Sequence, residues 1–177
     1  MLKFKGVSID TAEEAIKTKL TKMIKSPELL DQLGDVMIKD IKFQARRGVN
    51  SITGGKFIPL SKKWIAEREK ISQAQPVNEA FKANRSNVTL SGQLLDSLRR
   101  LSSNGILKIF FQGIHRPYRA KYSEIRKKQA STREIGKPIE NSKLAQYANE
   151  IRPFFYVREK LLPQLKSVVI RYIRRNL

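Results

Sequence analysis

The chain has 177 residues, 40% of them hydrophobic, and 36 Lys and Arg against 16 Asp and Glu give a formal net charge of +20. That length favours one domain, the apolar content excludes wholesale disorder, and the charge implies an anionic partner: nucleic acid, an acidic protein surface or a membrane face. Cysteine is absent and His115 is the single histidine, which excludes a disulfide scaffold, thiol catalysis and a Cys-ligated or multi-His metal site.

In chain order, Lys3–Val7 alternates polar and apolar residues and predicts a short strand. Asp10 then starts a helix, with Glu13 completing a capping box. Ala12, Ile16, Leu20 and Met23 follow at helical spacing. Ser26-Pro27-Glu28 predicts a second helix start: a cap, a proline at the first helical position and an acid in the first turn. Leu30, Leu33, Met37, Ile41 and Ala45 form its stripe, and Arg46-Arg47-Gly48 supplies the matching stop. Residues 1–48 are therefore expected to form an N-terminal helix pair. Gly48–Leu60 is a loop rich in Gly, Ser, Asn and Thr. Ser61 caps a short helix through Ile71, with Trp64 and Ile65 inward. Residues 72–88 are polar, contain Pro76 and predict a flexible excursion.

Ser91 caps a further predicted helix, with Leu94, Leu95, Leu98 and Leu101 on one face and Arg99-Arg100 closing it. Asn104-Gly105 is a turn, and Ile106–Phe111 is the strongest strand in the sequence. Residues 116–138 are the most basic stretch, with low apolar content, and predict an exposed arm or loop. Ser142–Glu150 predicts a short helix holding Leu144, Ala145 and Tyr147. Arg152–Val157 should run extended, because Pro153 biases Arg152 away from helix. A terminal helix follows, with Leu162, Leu165, Val169, Tyr172 and Ile173 as its stripe and Pro163 near its first turn. The expected fold is α+β: a helix pair, several further helices and a small antiparallel sheet, in one domain over residues 1–177.

No constellation points to catalysis. His115 follows the strand in GIHRPY without a nucleophile motif beside it. Asp31, Asp35 and Asp40 lie on the second helix, where a metal-dependent nuclease would need them to converge; a solvated face pairing with Lys39 and Lys42 is the simpler expectation. Thr53-Gly54-Gly55-Lys56 lacks the first glycine and the hydroxyl residue of a phosphate-binding loop. No enzyme activity, cofactor or metal is expected. The uncharged apolar runs are five or six residues, against the ~20 needed to span a bilayer, and the N-terminus has no signal-peptide core.

Two segments point to partners. Arg116, Arg119, Lys121, Arg126, Lys127, Lys128, Arg133 and Lys137 face only two acids within residues 116–138. Tyr118 and Tyr122 lie among them, as in surfaces that stack bases and hold phosphates. Arg152-Pro153-Phe154-Phe155 places adjacent phenylalanines in an extended run, where successive side chains face opposite ways. One ring is then free for a neighbour unless the same chain covers both.

The order of segments resembles a known family. FIPLS (Phe57–Ser61) follows the helix pair and Gly-rich loop. TLSGQLLDSLRR (Thr89–Arg100), a hydrophobic strand, Tyr147-Ala148 and RPFF (Arg152–Phe155) come next, ahead of the terminal helix. This resembles the virion-morphogenesis, tail-completion (neck) proteins of tailed phages. In that family F-x-P-L-S, L-x-x-[ST]-G-x-L-x-x-S and R-P-F segments occur in this order. Asn149-Glu150 after Tyr-Ala, Phe155-Tyr156 after RPF and the basic insert around Arg126–Pro138 depart from its pattern.

The resemblance implies a structural virion protein of the head–tail junction that completes the tail and joins it to the head. It implies a homo-oligomeric ring, with six-fold symmetry expected, and the host cytoplasm as the place of assembly. Partners would be copies of itself, neighbouring neck, head-closure or tail-terminator proteins and packaged DNA, with no membrane. Arg152, Pro153, Phe154, Phe155, Phe57 and Pro59 are the expected subunit-interface residues. The alternative reading is a basic nucleic-acid-binding protein, with the cations of residues 116–138 as its anion contacts.

Overall fold

The structure, a computed structural model, describes residues 9–74, 84, 93–115 and 139–177. Helix α1 spans Ile9–Ile24 and α2 spans Pro27–Arg47. Asp10 lies inside α1 rather than at its cap. The start and stop of α2 follow the sequence closely. Ser26 is extended (φ −66°, ψ 137°) and its hydroxyl accepts the Leu29 N–H at 3.2 Å, which satisfies a donor the helix itself cannot. Gly48 adopts the left-handed conformation (φ 71°) that ends the helix, with Val49 N–H returning to the Gln44 carbonyl at 3.0 Å.

Helix α3 (Lys62–Ala74) is capped by Ser61, whose hydroxyl accepts the Trp64 N–H at 3.2 Å. It runs three residues past Ile71, so the predicted excursion at 72–88 begins as helix. The rest of that stretch lies outside the described residues, apart from the exposed Asn84.

The largest correction is at residues 93–103. Helix α4 is a single turn, Gln93–Asp96, and Leu98–Ser103 is strand β1, not the continuation of a helix. It pairs antiparallel with β2 (Ile106–Phe111), from Leu98↔Phe111 to Ser103↔Ile106. The cause is the turn. Asn104 (φ 51°) and Gly105 (φ 74°) both take positive φ, the backbone of a tight turn whose twist matches two antiparallel strands. Ladder pairing along β1 outweighs the helical spacing of its leucines. Leu94, Leu95 and Leu98 are buried, but Leu101 is 55% exposed because it falls on the hairpin's outer face.

A second two-stranded pairing joins β3 (Ile114–His115) to β4 (Ile139–Glu140). The predicted strand at Lys3–Val7 and the basic stretch 116–138 lie outside the described residues. Helix α5 (Asn141–Ile151), a 3-10 turn (Glu159–Leu161) and helix α6 (Leu162–Asn176) complete the chain. Pro163 sits in the first turn of α6, where its missing N–H costs nothing. Tyr147 on α5 and Leu162 on α6 point outward, 57% and 56% exposed, contrary to the inward positions predicted for them.

Helix α2 is the axis of this α+β fold. The β1–β2 hairpin lies along one of its faces, and close approach depends on Gly34. A Cβ there would stand 2.7 Å from Arg100 Cδ and 3.1 Å from Leu107 Cδ1. The main core joins Ile41 and Ala45 of α2 to Phe57, Leu94, Leu95, Leu98, Ala145 and Phe154. A smaller cluster joins Met23 of α1, Leu29 of α2 and Tyr172 of α6.

Candidate subunit interface

The Arg152–Phe155 segment leaves α5 without entering a sheet, so its backbone groups need other partners. Asn149, one turn upstream, supplies them: its Oδ1 accepts the N–H groups of both Phe154 and Phe155 at 2.9 Å. From the other side, Ser51 donates its N–H to the Pro153 carbonyl at 2.7 Å and its hydroxyl to the Phe154 carbonyl at 3.0 Å. The Ser51 loop is itself ordered, since Asn50 Oδ1 accepts the N–H groups of Ile52 and Thr53 at 2.9 and 3.1 Å. A bridge also pairs Val49 with Lys56. Thr53-Gly54-Gly55-Lys56 is thus the tip of a closed turn.

Both phenylalanine rings meet Phe111 of β2. Phe154 lies edge-on at 6.0 Å between centroids, and Phe155 is tilted at 5.1 Å. Phe154 is fully buried, Phe155 half-buried and Phe57 only 4% exposed. The rings of Phe154 and Phe57 therefore sit in this chain's own core. Phe111 lies between strand and loop and takes up both Phe154 and Phe155, so the extended backbone does not leave one ring free. Arg152 and Pro153 are half-buried, and burial pulls the Arg152 guanidinium below its ordinary pKa. Pro59 is exposed, as is its neighbour Ile58 at 67%. Outward apolar side chains flank RPFF on both sides: Ile151 before it, 58% exposed, and Tyr156 and Val157 after it, 46% and 47% exposed.

The three aspartate carboxylates of α2 do not meet at one point. Asp31 and Asp35 share Arg100 of β1, the first at 3.2 Å from Nε and the second accepting from Nη1. Ser102 adds a hydroxyl to Asp31 at 2.8 Å. Asp40 holds Arg158 through two nitrogens. These acids clamp the hairpin and the post-RPFF segment onto α2, and they do so with arginines distant in sequence rather than with Lys39 and Lys42. Among the described residues no group of three or more His, Asp or Glu side chains could hold a metal ion. His115 has its backbone in β3, paired with Ile139. Arg116, Arg119, Lys121, Arg126, Lys127, Lys128 and Arg133 lie outside the described residues.

Two surfaces remain unfilled. The outer face of the hairpin carries Leu101, Ile106 and Phe110 in the open, 55%, 57% and 39% exposed. The register sets Leu101 diagonally between the other two, with Arg99 and Lys108 on the same face. Between α2 and α6 lies an open apolar groove of about 630 Å³, lined by Leu33, Met37, Leu162, Leu165 and Val169, with Lys166 beside them. No described helix is long and apolar enough to cross a membrane. Comparison of the chain with protein-family models, curated proteins and solved structures finds no match.

Proposed function

We propose that this chain is a structural subunit of a tailed-phage neck, assembling with copies of itself into a ring that completes the tail and joins it to the head. The order of FIPLS, TLSGQLLDSLRR and RPFF supports the family assignment. The observation that carries an assembly role is the balance of apolar surface. Among the described residues sixteen large hydrophobic side chains are exposed, against thirteen buried apolar residues of which two are alanine. Exposed apolar residues scattered singly are ordinary, but contiguous ones mark contact surfaces. Here Leu101, Ile106 and Phe110 share the hairpin's outer face, Tyr156 and Val157 are adjacent, and Leu162 stands at the edge of the α2–α6 groove.

A subunit built this way buries its interface on assembly and needs no catalytic group. The test is electron microscopy of the particles that carry this chain, with the mass of the purified protein in solution. A closed ring of fixed copy number at the head–tail junction is expected. A chain absent from particles, or present as a single copy, overturns the reading.

One observation favours the nucleic-acid-binding alternative. Helix α6 contains no acid, and Lys166, Arg171, Arg174 and Arg175 are exposed along it. If these residues grip phosphates, the logarithm of DNA affinity falls with the logarithm of salt by about 0.9 per phosphate contact. Replacing Arg171 and Arg174 with Glu then flattens that slope. An unchanged slope assigns the charge to an acidic protein neighbour instead.

A further inference from the structure

Helix α1 leaves the body of the molecule. Its apolar stripe is buried at Met23 (8% exposed), half-buried at Leu20 and open at Ile16 (55%). Every residue from Glu13 to Lys19 is exposed. The direction of departure follows from its contacts. Met23 packs with Leu29 and Tyr172, whereas Lys19, one turn earlier, reaches the carbonyl of Leu177 at 3.1 Å. Towards its N-terminus, α1 therefore passes the last residue of α6 and continues outward. An amphipathic helix owes most of its stability to packing of its apolar face, and among the described residues this half has no surface to pack on.

The α2–α6 groove is a surface without its helix. It lies at the opposite end of α6, around Leu162, Leu165 and Val169. Leu162 and Leu177 are fifteen residues apart, about 22 Å of helix at 1.5 Å per residue. The α1 arm of the same chain points away from it and cannot fold back into it. Charge matches the two. Ile9–Ile16 contains Asp10, Glu13 and Glu14 and no cation, in a chain of net charge +20, and the Glu13–Lys17 pair that follows it (2.8 Å) is more than half exposed on both sides. The groove carries Lys166 on an acid-free helix.

We infer that the free half of α1 docks head to tail into the α2–α6 groove of a second copy of this chain. The inference rests on the ring reading above and gives it a contact: two different patches of identical copies, which close into a ring when the rotation per subunit allows. Ile16 is the anchor, with Met37 and Leu162 receiving it, and Glu13, one turn before Ile16, turns from Lys17 to Lys166.

The test uses Ile16→Asp and Leu162→Asp. Both positions are more than half exposed, so both variants should melt with the wild-type chain. Sedimentation velocity of the wild type should show oligomers, and each variant alone should associate at least tenfold more weakly. Mixed one to one, the variants should form dimers and nothing larger. The intact arm of Leu162→Asp then meets the intact groove of Ile16→Asp, and the mutated pair stops further growth. A wild-type chain that stays monomeric at high concentration overturns the inference, as does a mixture that stays monomeric. If the variants still assemble and enter particles, docking is wrong while the ring reading stands. If the mixing result holds and the chain is absent from particles, the docking stands and the neck assignment falls.

Discussion

Helix α2 has two ends that are built differently. Around its C-terminal half, Ile41 and Ala45 are 3% and 0% exposed, enclosed by the Phe57 loop, α4, β1, α5 and the RPFF segment. Polar groups there are internal too: Ser51 and Asn149 hold the RPFF backbone, and Asp40 and Arg158 pair with side chains only 11% and 20% exposed. At the N-terminal end α1 and α6 join Leu29, and the hairpin approaches at Gly34. The ion pairs there are more exposed: Arg100 with Asp31 and Asp35 has side chains 33%, 43% and 49% exposed, and Arg175 with Glu28 at 3.8 Å has side chains 74% and 55% exposed, so each adds little, about 0–1 kcal/mol. One end satisfies itself and the other leaves Leu33 and Met37 facing an open groove. A single helix thus carries a closed core along one half and borders an open apolar groove along the other, the contrast on which the proposed docking rests.

The largest effect that would test this contrast is Phe154→Ala. The ring is fully buried and touches Phe111 edge-on, so the cavity it leaves should cost about 3–5 kcal/mol. Urea unfolding measures it as a fall in midpoint with unchanged slope. A loss below about 1 kcal/mol would mean the RPFF segment lies outside the cooperative core, and the closed end would not be closed.

Asn149 comes next. Alanine there leaves the Phe154 and Phe155 N–H groups without their acceptor, a cost of about 2 kcal/mol in a part-buried setting. Asn149→Asp keeps an oxygen in the same place and should stay close to wild type in the same urea titration. If Asp is as damaging as Ala, the amide N–H₂ rather than the acceptor oxygen holds the segment. The pair of substitutions thereby separates backbone capping from simple loss of packing.

Some of this was legible in the sequence and some was not, for physical reasons that differ by element. The ends of α2 were readable because a cap, a proline and a C-terminal glycine act within a few residues of themselves. Strand β2 was readable because ILKIFF is apolar, β-branched in part and bounded by glycines. Strand β1 was not, because LRRLSS carries no strand signal of its own and takes its conformation from pairing across Asn104-Gly105; the Asn-Gly pair was the available clue. The roles of Asp31, Asp35 and Asp40 were hidden for a similar reason. Each is matched to an arginine 60 or more residues away, and local spacing suggested lysines on the same helix. The two rings of RPFF followed neither local rule, since the position of Phe111 decides where both go. Asn149, seen in sequence only as a departure from a family pattern, proves to cap the segment that follows it.

The smallest effect belongs to the open end. Ser26 Oγ donates to the Tyr172 hydroxyl at 2.9 Å while accepting the Leu29 N–H, and the Tyr172 hydroxyl lies 3.4 Å from Glu28. Tyr172→Phe removes the hydroxyl but keeps the ring against Met23 and Leu29, so the bond from Ser26 and the long one to Glu28 are lost while the packing stays. The expected cost is about 1 kcal/mol. Ser26→Ala removes the same bond together with the α2 cap, which is worth about 1 kcal/mol on its own, and should cost more. The double variant should cost less than the two singles added, because the Ser26–Tyr172 bond is counted in both. Thermal unfolding of the three variants against wild type measures the coupling. If Tyr172→Phe costs as much as Phe154→Ala, the N-terminal end of α2 is as tightly built as the other, and the contrast between a finished and an unfinished end fails.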